Sequence, residues 1–167
     1  MSSHPHLIHA DDVAWTELAH GSRVAMRRKQ LGALAQGRKL GCSLMELPPG
    51  KRSWPFHYHL ANEEALYVLS GEGVVRLGSE RFPVKAGDYV ALPPGPGSAH
   101  QVFNAGPEPL RYLAFSTMEA PDVVMYPDSG KVGVFAGAAP GGDKAARTLH
   151  AYLPLAAEVD YWTGEES

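Results

Sequence analysis

An all-β barrel or sandwich is the fold class this 167-residue sequence predicts. From Lys39 onward the chain reads as short strand-type runs cut by turn residues at regular spacing. Its 18 glycines and 14 prolines fall between those runs and form no low-complexity tract, which points to many turns. Hydrophobic residues make up 44% and charged residues 20%, the composition of a folding globular chain and far from that of a disordered one.

The elements follow in order. Asp11 to Ala19 is read as one short helical turn with Asp11 or Asp12 as its cap, and Val24 to Leu31 as an additional strand. The predicted barrel strands are Leu40 to Leu47, Phe56 to His59, Ala65 to Leu69, Val74 to Leu77, Arg81 to Val84, Asp88 to Leu92, Gln101 to Phe103 and Leu110 to Thr117. PPG at 48–50, SGEG at 70–73, AGD at 86–88, PPGPG at 93–97 and NAGPEP at 104–109 punctuate them by glycine freedom or proline restriction. Pro121 to Ser167 is expected outside the barrel as edge strands or a wrapping arm, because its apolar residues need something to pack on. No internal repeat is found. Expected is therefore one domain, with residues 1–39 an N-terminal arm and extra strand, 40–117 the barrel core and 118–167 a C-terminal extension packed on it.

A net charge of −3 gives no electrostatic reason to bind nucleic acid or an anionic membrane. Arg23, Arg27, Arg28 and Lys29 are the only basic concentration, read as a solvated edge since no aromatic platform accompanies them. Arg76, Arg81 and Arg111 are placed at the surface or an interface. The lone Cys42 excludes an internal disulfide, suits a reducing compartment and is read as a buried inert thiol. No apolar run has membrane-helix length, and the start MSSHPHLIHADD lacks signal-peptide character, so the expected location is cytoplasmic. His4, His6 and His9 in that leader are given no function.

The chemistry gathers elsewhere. His57 and His59 are two apart in a strand-type run, so both imidazoles project to one side. Glu64 follows after a short loop and opens the apolar run ALYVL, a connection that can return the carboxylate to the same interior. His100 follows a Pro/Gly loop and can complete the set from across a barrel. Three imidazoles and a carboxylate suit borderline first-row ions, with iron(II), manganese, nickel, zinc, copper and cobalt all open. Four such ligands on an octahedral ion leave two positions for water, oxygen or substrate. The plain alternative is a polar cluster that binds no ion, which is costly to bury unpaired.

These residues resemble the two motifs of the cupin superfamily. PPGKRSWPFHYHLANEEALYVLSGEG carries Gly50, His57, His59, Glu64 and Gly71 in the places of the first motif, and GDYVALPPGPGSAHQVFN carries Gly87, Pro93, Gly95, His100 and Asn104 in those of the second. Six residues, where five are usual, separate Gly50 from His57, and four, where two are usual, separate Gly95 from His100. Both differences fall in loops. The resemblance spans about residues 40 to 117 and implies a double-stranded β-helix (jelly-roll) barrel with extra N- and C-terminal segments. It also implies one divalent metal on His57, His59, Glu64 and His100. Glu63 is the rival carboxylate, and the six-residue spacing to Gly71 in the family pattern selects Glu64. Asn104 is read as a turn residue.

The function expected is that of a metal-binding cupin acting on a small molecule, isomerase- or dioxygenase-like, with a non-catalytic small-ligand-binding or sensor protein as the alternative. A homodimer is expected, as the resemblance implies and as apolar residues on both faces of Ala65 to Leu69 suggest.

Overall fold

The computed structural model describes residues 4–165; residues 1–3 of the leader and 166–167 of the C-terminal extension lie outside it. Its elements are β1 (Thr16–His20), β2 (Val24–Gln30), the one-turn helix α1 (Leu31–Leu34), β3 (Gly41–Leu47), β4 (Tyr58–His59), β5 (Glu64–Ser70), β6 (Glu72–Leu77), β7 (Glu80–Lys85), β8 (Tyr89–Leu92), β9 (His100–Phe103), β10 (Leu110–Ser116), β11 (Asp122–Tyr126), β12 (Lys131–Ala136) and β13 (Leu149–Pro154).

One face is a six-stranded sheet in the order β1-β2-β3-β10-β5-β8. The other is built from the three-stranded sheet β7-β6-β9 and the four-stranded sheet β13-β12-β11-β4. These two meet where His57 and His100 exchange backbone hydrogen bonds of 3.1 and 2.8 Å. All strand pairs are antiparallel, and the folded-over sheets form the expected double-stranded β-helix.

Alternation explains the core. Along β5, Leu66 and Val68 point inward while Tyr67 and Leu69 point out, as period two requires. Leu66 and Val68 join Met26, Met45, Leu47, Val75, Val102, Leu110 and Tyr112 in one buried cluster between the two faces. β5 passes directly into β6 at Gly71, whose φ is +82° and where a Cβ would stand 2.6 Å from the Pro109 carbonyl oxygen. Only glycine fits there without strain.

Two sequence expectations need correction. The helical turn over Asp11 to Ala19 is a 3-10 turn confined to Ala10–Asp12, capped by the His9 ring accepting from the Asp11 amide, and the rest is β1. Pairing of Thr16–His20 with β2 supplies the backbone partners that a lone helical turn lacks. The extra strand is present as expected, as β2 over Val24–Gln30, and gives way to α1.

Of the basic cluster, Arg23 is exposed as a solvated edge would be, and the other three residues are not. Lys29 is buried with its ammonium on the Ala10 carbonyl at 2.7 Å, Arg27 pairs with buried Glu46, and Arg28 faces a cavity. Arg111, exposed as expected, closes the other side of Glu46 at 2.6 Å, so one carboxylate ties β2, β3 and β10 together. The C-terminal extension supplies the expected edge strands: β11 to β13 lengthen the four-stranded sheet with β13 at its edge, and β11 pairs with β4 through Val124–His59 and Met125–Tyr58. Val124 and Asp122 are fully buried there.

Candidate metal centre

His57, His59, Glu64 and His100 converge. Glu64, first residue of β5, places Oε2 at 3.3 Å from His59 Nε2, 3.4 Å from His100 Nε2 and 3.9 Å from His57 Nε2. One ligand atom each from His57, His59 and Glu64 lie within 4.8 Å of one another. The His57 ring centroid is 4.6 Å from that of His100 and 5.2 Å from that of His59. Glu63, the rival carboxylate, is exposed outside the cluster, and its backbone N–H donates to Thr117 Oγ1.

Each imidazole is oriented through its other nitrogen. His57 Nδ1 lies 2.7 Å from the Pro55 carbonyl, His100 Nδ1 3.0 Å from the Ser98 carbonyl and His59 Nδ1 2.5 Å from Asp122 Oδ2. Carbonyls and carboxylates accept, so all three Nδ1 atoms donate and all three Nε2 atoms face Glu64. Asp122 is itself held by the Ala61 amide on Oδ1 at 3.0 Å.

The loop before His100 explains its unusual length. Pro96–Ser98 forms a 3-10 turn, and the Ser98 hydroxyl donates to the Pro93 carbonyl and to the Gly95 carbonyl, fixing the Ser98 carbonyl for His100.

The electrostatics follow from burial and proximity. Burial, with the neighbouring His100, pulls His57 down to about 3, and burial also lowers His100, so both stay neutral. Burial opposes charge on His59 as well, yet Asp122 and Glu64 overcome it and raise that ring to about 9. For Glu64, burial pushes upward but the three histidines prevail and bring it to about 2. Glu64 and Asp122 both face His59, and a divalent cation bound at the cluster would take the place of a proton on His59 Nε2.

A metal fits these donors. Ligands held at about 2.1 Å from one ion stand roughly 3 to 3.5 Å apart, and the Nε2 to Oε2 separations of His59 and His100 match. Nitrogen and oxygen donors without a thiolate suit first-row ions other than those of cysteine sites.

The cluster opens on a cavity of about 1140 Å³. Tyr126, at the end of β11, stacks on His57 with centroids 6.0 Å apart. Cys42 also lines the cavity, half-buried, with its thiol pushed up by burial. Sequence reading missed Asp122 and Tyr126. Their only local signal is an acidic residue opening the apolar run DVVMY, which a buried partner explains once β11 is known to pair with β4. Asn104 is a turn residue as expected, with its amide on the Leu47 and Glu108 carbonyls.

No helix among the described residues is long and apolar enough to cross a membrane. Residues 43–116 match the cupin domain family. Over 70 residues the chain is 37% identical to an uncharacterised protein of Methanocaldococcus jannaschii and 39% identical to an oxalate-binding protein of Thermotoga maritima. Each match takes in 42% of this chain, and it spans about half the length of those curated relatives, 54% and 55%. A crystal structure of a protein provisionally described as a sugar phosphate isomerase, from Acidithiobacillus ferrooxidans, superposes with a TM-score of 0.78 at 27% identity, over 93% of this chain and 96% of that one. The folded-over antiparallel sheets, the two motifs in order and these likenesses together place the chain in the cupin superfamily.

Proposed function

We propose that this cupin is a metal-dependent enzyme of isomerase type, acting on a small hydroxylated carbonyl compound. The observation that carries the reading is the convergence of three Nε2 atoms on Glu64 Oε2 at the base of a large cavity, with every Nδ1 committed elsewhere. Such an ion, when bound, polarises a carbonyl or hydroxyl oxygen as a Lewis acid. The residues of the chain do the rest. His57, His59, His100 and Glu64 would hold the ion, and Asp122 keeps the His59 proton on Nδ1. Tyr126 walls the cavity beside His57, its phenol kept protonated because burial, with Tyr152 close by, pushes its pKa up. Likeness to the Acidithiobacillus protein over nearly the whole chain supports isomerisation over oxygen chemistry.

The test is metal content of the purified protein and of His57→Ala and Glu64→Ala, then turnover of aldose and ketose panels with oxygen consumption recorded alongside. One ion per chain, lost in both variants, and interconversion without oxygen uptake are expected. Sub-stoichiometric metal under every loading condition would sink the reading, and oxygen uptake coupled to substrate loss would replace isomerisation with dioxygenation. A second reading, a non-catalytic ligand-binding cupin, draws on the oxalate-binding relative. A ligand that co-purifies and is never turned over would favour it.

One domain, a homodimer and a cytoplasmic location belong to the same proposal. Tyr67 on β5 sits opposite Tyr89 on β8 on the outer face of the six-stranded sheet, and with Leu69 it leaves an exposed apolar patch that supports pairing of two copies. Sedimentation as a monomer at micromolar concentration would refute the dimer.

A further inference from the structure

We propose that residues 137–148, the connection between β12 and β13, form a hinged strap that opens to admit substrate to the histidine cluster and shuts over it, latched by Gln30 and Met118. What enters rests on the enzymatic reading above; that the strap opens does not.

The first observation is where the connection runs. β13 is the free edge of the four-stranded sheet, and β1 and β2 stand at one edge of the six-stranded sheet. The strap crosses from the one to the other, where the Gln30 side-chain amide at the end of β2 donates to the Gly141 carbonyl at 2.9 Å. Residues 137–144 line the same cavity as His57, His59 and Glu64. The base of the strap is drawn together, with the Thr148 amide donating to the Ala136 carbonyl at 2.9 Å. Gly137, at φ +84°, permits that closure, since a Cβ there would overlap the Ala146 carbonyl oxygen. Joined ends and a crest reaching over a cavity make this an Ω-loop, a shape packed largely on itself. Within it the Ala139 carbonyl accepts from the Gly142 amide at 3.0 Å and from Arg147 Nη2 at 3.3 Å, so the strap keeps its own form.

The second observation is how lightly it is held. Ala139 is the one buried residue of the strap. Among the described residues, none of its charged side chains, Asp143, Lys144 and Arg147, forms an ion pair. Across the gap it meets the exposed, neutral hydrogen bond from Gln30 and the side chain of Met118. A Cβ on Gly142 would stand 3.4 Å from Met118 Cε, and one on Gly41 of β3 2.6 Å from Met118 Sδ. The thioether therefore lies between β3 and the crest of the strap, and glycine at both positions leaves it room. A segment tied by an exposed hydrogen bond and a flexible thioether opens far more readily than the core strands. Gly137 at the base and Gly141 at the crest, φ +82°, supply the freedom a hinge needs.

An opening strap reconciles a deep site with entry. The His57 and His59 side chains are 11% and 5% exposed. A substrate reaching them through the side between the two sheet edges passes the strap, and shutting it afterwards excludes water from the reaction.

The test is amide hydrogen exchange and, in parallel, carbethoxylation of His57 by diethyl pyrocarbonate, both on the metal-free full chain, with exposed His20 as reference. In the wild type the hydrogen-bonded strap amides of Gly142 and Thr148 are expected to exchange on the order of a hundredfold faster than those of β5 and β10. Gln30→Ala and Met118→Ala are each expected to speed strap exchange and His57 modification by about three- to tenfold, with His20 and the core strands unchanged. Strap amides that exchange only along with the core would overturn the proposal, as would a folded latch variant at wild-type rates. Faster strap exchange with His57 modification unmoved would overturn it too, since the strap would then guard nothing. Should Met118→Ala fail to fold, Gln30→Ala decides. Neither measurement involves an ion, so absent metal or turnover with these results intact overturns the enzymatic reading alone.

Discussion

Asp122→Asn tests most directly how the C-terminal strand serves the histidine cluster. Asp122 Oδ2 accepts from His59 Nδ1 at 2.5 Å in a site where Asp122 is 1% exposed, and Oδ1 accepts from the Ala61 amide. Asparagine keeps the shape and one acceptor but removes the charge that holds His59 in the donating tautomer and strengthens its Nε2 lone pair. A hydrogen bond to a buried charged group contributes about 1.5 to 3 kcal/mol. Loss of the carboxylate behind a metal-bound histidine weakens metal affinity by about 10- to 100-fold, roughly 1.4 to 2.7 kcal/mol. The two ranges agree, so about a 30-fold loss is expected. The assay is chelator competition with one first-row metal on wild type and variant, alongside thermal melts of both metal-free proteins. Unchanged metal affinity in a variant that melts like the wild type would refute the role given to Asp122.

Further outcomes follow from the packing. Glu46→Gln removes the carboxylate shared by Arg27 and Arg111; both arginines are partly exposed, so about 2 kcal/mol of stability is expected to go, read as a melting shift of roughly 4 to 8 °C. Burial alone would raise the Glu46 carboxyl, but the two guanidiniums hold it below the ordinary range. Its contribution is therefore complete above the ordinary carboxylate pKa and lost as pH falls through the lowered folded value. The difference between wild type and Glu46→Gln should close in acid urea titrations, and a gap that widens there would contradict the sign. Leu47→Ala, at a fully buried position, is expected to cost about 3 kcal/mol in denaturant unfolding. Gly71→Ala should cost about as much, from left-handed strain plus the 2.6 Å approach to the Pro109 carbonyl. Asp128→Asn, by contrast, breaks an exposed pair with Arg76 and should move stability by less than about 1 kcal/mol.

Much of the barrel was legible in the sequence. Alternation in ALYVLS and turn residues such as Gly71 are local signals, and the strands from β3 to β10 fall within a residue or two of where those signals put them. The four converging residues were legible too, because two of them share a strand face and the motif resemblance implied the other two. Misreadings concentrate where partners are distant in sequence. Lys29, Arg27 and Arg28 look like one solvated basic run, yet Ala10, Glu46 and the cavity give them three different fates.

Strand period and turn spacing thus determined the all-β class and the shared side of His57 and His59, and the resemblance carried by the two motifs implied the jelly-roll barrel and the full histidine and glutamate set. What the cluster leans on was decided only by tertiary structure. Asp122 lies 63 positions from His59, and Tyr126, Lys131 and Arg147 reach the cavity only because β11 pairs with β4 and carries β12 and β13 with it. Burial, and the balance of charge around a cavity, depend on which chain segments fold over one another, and no local pattern of residues encodes that.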